Sequence, residues 1–435
     1  MSDKKVLIIA YYWPPSGGSG VQRWLKFVKY LPVYGWTPYV FTPENPSFAV
    51  RDESLLKDVP EEAEVLHFPI WEPYEVFLAL SKFTGGQPRA ARPTDLVSTG
   101  KRSLFQRVST WVRGNLFIPD PRVFWVRPSV KFLAEFLKAN GIRTIVTTGP
   151  PHSLHLIGLK LKRRDPLLHW VADFRDPWSE WGFLDTLQAG TWARRRHKKL
   201  ERTVLQTADE VITITPFYVR QFSSLGGRPV HLLTNGFDED DFKTLTLTRP
   251  AQFTIRHIGI VNEKCDPRPF MQAVRAAMMT DADFAANTVV EYIGEVHPQF
   301  RADVQASPEL NRVTRFPGSV PHKQLLNIYG TSSLLVLVLT GYKDAEGYMP
   351  GKLFEYLATG LPVLGVGPEH GDAAHLLSTS GAGQMLDGSR QEQLRDVLLR
   401  AFRDWRQASA QVSRHDYGAY SRRAITGKLT ELFKA

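Results

Sequence analysis

Six consecutive apolar residues, Leu334-Leu335-Val336-Leu337-Val338-Leu339, lead through a polar loop into Tyr348-Met349-Pro350-Gly351-Lys352-Leu353-Phe354-Glu355-Tyr356-Leu357. A strand without polar alternation has to be covered on both faces, which predicts an interior strand of a parallel sheet. Parallel neighbours need crossover connections, usually helices, so a chain built around this run is α/β. The helix that follows carries Lys352 and Glu355 near its start. Open α/β sheets bind ligands outside the carboxyl ends of their strands, and one cation with one carboxylate there suits a ligand with phosphate at one end and hydroxyls at the other. A sugar nucleotide has that shape. An exposed ion pair three residues apart, worth about 0.2–0.5 kcal/mol, is the plainer alternative.

The strand, loop and helix order recurs along the chain. Val6 to Ala10 reads as a buried strand, Pro14-Pro15-Ser16-Gly17-Gly18-Ser19-Gly20 as a loop, and Val21 to Leu31 as a helix, an arrangement that offers backbone N–H groups to an anion. Gly18-Ser19-Gly20-Val21-Gln22-Arg23 lacks the third glycine of a dinucleotide fingerprint, which argues against nicotinamide binding. Trp36 to Thr42, Arg143 to Thr148, His169 to Ala172 and Glu210 to Thr215 supply further strands. Gly149-Pro150-Pro151-His152-Ser153 places His152 just past a strand end. Asp173-Phe174-Arg175-Asp176 follows another, where the two aspartates can orient Arg175, cap a helix or bind hydroxyls. The alternation restarts at Phe253 to Val261 and continues through Val289 to Ile293 and Val313 to Phe316. At 435 residues the chain exceeds what one core usually supports, and polar Thr244 to Pro250 reads as the linker between two halves. Arg395 to Ala435 reads as helical.

The formal charge is 54 − 44 = +10, which favours an anionic partner. Ten basic residues between Lys82 and Lys131 stand against Asp95 and Asp120. Within this basic insertion, about residues 80–120, Leu104, Phe105, Val108, Trp111, Val112 and Leu116 fall at helical spacing, as in a helix lying on a membrane interface or packed on the domain surface. A single cysteine, Cys265, excludes an internal disulfide. The apolar start after Met1-Ser2-Asp3-Lys4-Lys5 runs into Pro14-Pro15 and reads as a strand, not a signal peptide. No apolar stretch reaches the roughly 20 residues that span a bilayer.

Taken in order, residues 6–42, 145–178, 232–242 and 253–365 resemble the retaining glycosyltransferases of the GT-B fold, family 4 in particular, and a bacterial branch of it at Gly-Pro-Pro-His-Ser and Asp-Phe-Arg-Asp-Pro-Trp. The resemblance implies two Rossmann-like domains facing a central cleft: residues 1–243 on the acceptor side, 251–410 holding the donor, and a 411–435 helix returning to the first. It implies transfer of a sugar from a nucleoside-diphosphate sugar to a glycan or lipid-linked acceptor, in cell-envelope or exopolysaccharide synthesis, with no metal, no other cofactor and no nucleic acid as partner. By the same resemblance Glu355 grips the ribose. The family's other glutamate falls at Gly347, with Glu346 one residue away. The Gly17-Gly18 loop touches donor phosphates or acceptor, and the Gly259 loop leads to a cation on the diphosphate. Cys265 stands where arginine is usual, so Lys264 or Arg268 takes that role. His152 lies near the donor sugar, and Asp173, Arg175 and Asp176 lie on the acceptor side. The expected place of work is the cytoplasm, on the inner face of the membrane. An epimerase of the same fold and an inactive membrane-binding protein are the alternatives.

Overall fold

The computed structural model describes residues 4–46, 51–72, 104–180, 183–262, 265–341, 345–407 and 417–435. They fall into two compact units, Met1–Thr234 with Ile425–Ala435, and Asn235–Ala424. Each is a parallel sheet with helices on both faces.

Unit 1 has seven strands: β1 (Lys5–Ile9), β2 (Thr37–Pro43), β3 (Glu64–Phe68), β4 (Thr144–Gly149), β5 (His169–Phe174), β6 (Glu210–Thr213) and β7 (His231–Leu232). Their order is β3-β2-β1-β4-β5-β6-β7, every pairing parallel. Alternation along β1 divides the apolar side chains between two cores. Leu7 and Ile9 join Phe41, Trp125, Ile145, Ile157 and Trp170 on one face, while Val6 and Ile8 join Trp24, Leu25, Val146 and Val171 on the other. The second core is completed by Ile425, Leu429 and Phe433 from the far end of the chain. The Phe433 ring meets Trp36 edge-on at 5.0 Å, and the His169 Nε2–H donates to the Leu432 carbonyl at 2.7 Å.

Unit 2 repeats the design with β8 (Phe253–Ile258), β9 (Thr288–Ile293), β10 (Thr314–Gly318), β11 (Leu334–Val338), β12 (Val363–Val366) and β13 (Gly383–Leu386), in the order β10-β9-β8-β11-β12-β13. The apolar run 334–338 is, as its composition demands, an interior strand, paired with β8 and β12 and buried throughout. Its odd and even side chains serve different cores. Val336 and Val338 pack with Phe253, Ile255 and Phe270, and Leu335 and Leu337 pack with Leu353, Phe354 and Leu357 of the Gly351–Thr359 helix.

In both sheets the strand order reverses once, between β1 and β4 and between β8 and β11. Loops that leave neighbouring strands in opposite directions open a crevice at those two points, and ligands of such folds bind there. The loop carrying Gly17 and Gly18 follows β1, and His152 follows β4. Gly259 follows β8, and the helix with Lys352 and Glu355 follows β11.

Two segments differ from the sequence reading. Thr244 to Pro250 is not a free linker: the Thr248 N–H donates to the Gly330 carbonyl at 2.7 Å, and Phe242 packs against Tyr329. The final stretch is not one helix but a Gln391–Arg406 helix and a separate Arg422–Thr430 helix, with residues 408–416 outside the described set. No helix among the described residues is long and apolar enough to cross a membrane.

Candidate functional site

In unit 1 the loop after β4 is held from several sides. Arg175 donates through Nε to the Gly149 carbonyl at 3.3 Å, through Nη1 to the Gly20 carbonyl at 3.0 Å, and through Nη2 to the Pro150 carbonyl. It thereby ties the glycine loop after β1 to the loop after β4. Asp120 receives the Ser153 N–H and Oγ–H, both at 2.8 Å, and pins the first turn of the Ser153–Arg164 helix. His152 sits at the N-cap of that helix, buried, with its ring face to face on Trp178 at 5.1 Å and 3°. Neither ring nitrogen of His152 makes a hydrogen bond of ordinary geometry. Burial, with His155 and Arg175 adding to it, pushes its pKa well below the usual value, so the ring is neutral.

His155, one turn on, is set differently. Thr147 Oγ1 accepts the Trp170 indole N–H at 2.9 Å and is hydrogen-bonded to His155 Nδ1 at 2.8 Å. Nε2 of His155 has no hydrogen-bond partner of ordinary geometry. Burial pushes the pKa of His155 down to about 3. A Cβ on Gly149 would lie 2.6 Å from His155 Nε2 and 2.9 Å from His152 Nδ1, so only glycine lets the β4 backbone pass both rings.

Asp173 near the end of β5, and Arg175 and Asp176 just after it, divide by role. Asp173 is fully buried: it takes Arg23 Nε at 3.2 Å, Arg23 Nη2 at 3.1 Å, the Trp24 indole N–H at 2.6 Å and the Thr148 hydroxyl at 2.9 Å. It anchors the Ser19–Tyr30 helix to the sheet, with three of these bonds on Oδ2 and one on Oδ1. Arg175 is the loop tie just described. Asp176 is half-buried beside Arg175, and its carboxyl is raised above the usual range chiefly by burial. Gly18, at φ +89°, is the N-cap of the Ser19–Tyr30 helix, and Gly17 precedes it.

In unit 2 the feature at the strand reversal is Lys352. Its Nζ lies over Gly259, where a Cβ would stand 2.7 Å from the ammonium, and Gly259 is further held at φ +137°. Beneath it, His257 Nδ1–H donates to the Val336 carbonyl at 3.1 Å, which leaves the Nε2 lone pair facing Lys352 Nζ at 3.5 Å. Burial, then Lys352, holds the His257 pKa well down, and burial lowers that of Lys352 as well. Cys265 is no cation substitute: its buried thiol donates to the Val338 carbonyl at 3.1 Å, and burial raises its pKa. One helical turn from Lys352, Glu355 Oε2 accepts the Tyr329 hydroxyl at 2.7 Å.

The remaining sequence candidates are less well placed. Arg268 opens the Arg268–Thr280 helix but is paired with Asp266 at 2.9 Å and Asp303 at 2.8 Å. Lys264 lies outside the described residues. Glu346 is exposed on the Ala345–Gly347 turn, its backbone packed close against Gly371. Of the amphipathic insertion, residues 73–103 and the side chains of Leu104, Phe105 and Val108 also lie outside. Trp111 and Leu116 are 50% and 60% exposed. His257, Tyr329 and Trp178 were not singled out from sequence; His257 sits in β8 beside Arg256 and Thr254, and nothing local marks it out. Among the described residues no three His, Cys, Asp or Glu side chains gather as a metal site requires.

No family model matches the chain, and no curated protein sequence does. Solved structures do. A glycosyltransferase from Rickettsia africae aligns with a TM-score of 0.60 at 13% identity, covering 99% of this chain and 98% of that one. WaaG, a glycosyltransferase involved in lipopolysaccharide biosynthesis, aligns at 0.55 and 15%, covering 99% and 100%. TarM of S. aureus, crystallised with UDP, aligns at 0.58 and 9%, covering 99% and 100%. At such identities the likeness establishes the fold: this chain has the α/β two-domain GT-B architecture.

Proposed function

We propose that the chain is a retaining glycosyltransferase that moves a sugar from a nucleoside-diphosphate sugar to a glycan or lipid-linked acceptor in cell-envelope or exopolysaccharide synthesis. The observation that carries the reading is Lys352, a half-buried cation aimed at the strand reversal of unit 2 by a glycine below and a neutral histidine beside it. A diphosphate laid on that point supplies the counter-charge which burial withholds, and raises the lysine pKa again. Glu355, held by Tyr329, takes ribose hydroxyls. The acceptor oxygen forms its bond to the anomeric carbon as the bond to the phosphate oxygen breaks, and its proton passes to that phosphate. Lys352 offsets the charge gained by the departing diphosphate. UDP in the TarM crystal and the structural likeness to glycosyltransferases such as WaaG support the donor class.

Isothermal calorimetry with UDP and the other nucleoside diphosphates tests the donor site. Glu355→Ala is expected to weaken the tightest of them by about 10- to 100-fold, the worth of charge-assisted hydrogen bonds of roughly 1.5–3 kcal/mol. Unchanged affinity removes Glu355 from the site, and no binding of any nucleotide by the intact protein defeats the donor reading. A proton NMR assay of the donor without acceptor then separates transfer from epimerisation, since an epimerase gives a new sugar isomer when acceptor is left out and a transferase does not.

The same reading places the acceptor at an anionic membrane surface. Exposed Trp111, Leu116 and Phe124 lie on unit 1 near Arg113, Arg127 and Lys131 in sequence, and exposed Trp71 meets Phe124 edge-on at 5.0 Å. Such a face inserts aromatic rings while cations meet headgroups, each cation adding about 1 kcal/mol. Sedimentation with anionic but not neutral vesicles, weakened by salt, is expected; equal absence from both pellets excludes the membrane.

A further inference from the structure

His152 raises a mechanical question. A side chain with no hydrogen bond of ordinary geometry at either nitrogen, and only the Pro177 carbonyl acting on it, is weakly held about χ2, yet a group that meets a reacting centre has to be held in one pose. What holds this ring is a neighbour's face. Trp178 lies parallel to it within 3°, closer than Phe174 at 6.3 Å or His155 at 5.9 Å.

Trp178 is in turn immobilised by one face of the Thr191–Thr207 helix. Its indole N–H donates to His197 Nδ1 at 2.9 Å, and its backbone N–H donates to Glu201 Oε1 at 3.1 Å. The next residue, Ser179, gives both its N–H, at 3.0 Å, and its hydroxyl to Glu201 Oε2. His197 and Glu201 are four apart, so both project from one side of the helix. All three of Trp178, His197 and Glu201 are buried. An indole N–H is a donor only, so His197 must present a bare Nδ1 and carry its proton on Nε2. Burial, with Arg194 adding to it, keeps that ring neutral by pushing its pKa down to about 4. Expulsion of apolar surface alone does not require this set: a buried indole needs one partner, but a histidine and a carboxylate on successive turns, both directed at one loop, fix its position and its plane.

We infer that Trp178 and His197 are positioning residues, which orient the His152 ring by stacking where no hydrogen bond of ordinary geometry does so. The inference rests on the reading of His152 as a group at the reacting centre. It assigns a function to the Asp-Pro-Trp turn and to one residue of a helix that otherwise looks like a basic surface helix.

The test uses the full-length protein with [15N]histidine labelling, the His152 signals being identified by their loss in His152→Ala. Trp178→Leu, which removes the stacking face, is expected to lower kcat about 100-fold. It should also shift the His152 resonances and raise that ring's pKa as water reaches it, while UDP affinity stays as in the parent. His197→Ala is expected to cost about tenfold in kcat through the orphaned indole N–H. His197→Gln, whose amide oxygen can accept the same bond, should recover most of the loss. Melting curves guard against a variant that fails to fold, and the His197 pair gives the answer if Trp178→Leu does so. If His152→Ala is inactive but the His152 resonances and turnover are unmoved in His197→Ala and Trp178→Leu, the positioning role is overturned and the reading of His152 stands. If His152→Ala is itself near normal, that reading falls first.

Discussion

Replacing His152 with alanine is expected to lower turnover about 100- to 10,000-fold while nucleotide affinity holds, as for a group that acts mainly in the transition state. The expectation comes from the state of the ring. It is neutral, sits at the N-cap of a helix whose first turn Asp120 anchors, and makes no hydrogen bond of ordinary geometry at either nitrogen, with only the Pro177 carbonyl acting on it. A histidine kept only for packing would satisfy at least one nitrogen on a neighbour, as His155, His197 and His257 all do. The measurement is kcat with saturating donor and a competent acceptor, beside a melting curve, because removal of a buried ring also leaves a cavity. Near-normal kcat would return His152 to the packing role.

A second large effect is expected in stability. Asp173→Ala strips the counter-charge from Arg23, which is itself buried, and orphans the Trp24 indole N–H and the Thr148 hydroxyl. An uncompensated buried charge costs about 3–5 kcal/mol. For a unit of this size that lowers the melting temperature by roughly 10 °C. The double variant Arg23→Met with Asp173→Leu should recover much of the loss, since removing both charges also removes the cost of burying them. Thermal unfolding of the three variants decides the matter, and a shift of only a degree or two for Asp173→Ala would mean that the pair is solvated and replaceable.

What could be read from sequence followed from local necessity. Apolar runs such as Val6 to Ala10 and Leu334 to Leu339 have to be interior parallel strands, and two series of them give two sheets. Strand ends at a reversal of order have to be ligand crevices, which is why His152, Gly259 and Lys352 could be singled out. Edge strand β3 was not legible, because its partly exposed side chains resemble a loop. The fate of Asp173 was equally hidden, since its partner Arg23 is 150 residues away and nothing in either neighbourhood points to the other. Lys352 and Glu355 were legible as types at a position; that Gly259 and His257 aim the one and Tyr329 the other depended on contacts between distant segments. Cys265 illustrates the limit from the other side: compared with a relative's arginine it seemed a lost cation, whereas its thiol is a small buried group bonded to β11.

The return of Ile425–Ala435 to unit 1 has a bearing on how the protein is made. Chains usually fold domain by domain from the N-terminus as they emerge from the ribosome, at about 5–20 residues per second. Unit 2 is one continuous segment and is complete once Ala424 is out. Unit 1, though begun first, then still lacks Ile425, Leu429 and Phe433 from one of its two cores, and Trp36 waits without the Phe433 ring that packs against it. The segment synthesised earliest is therefore the one finished last, and for that interval its uncovered face is open to chaperones or to another nascent chain.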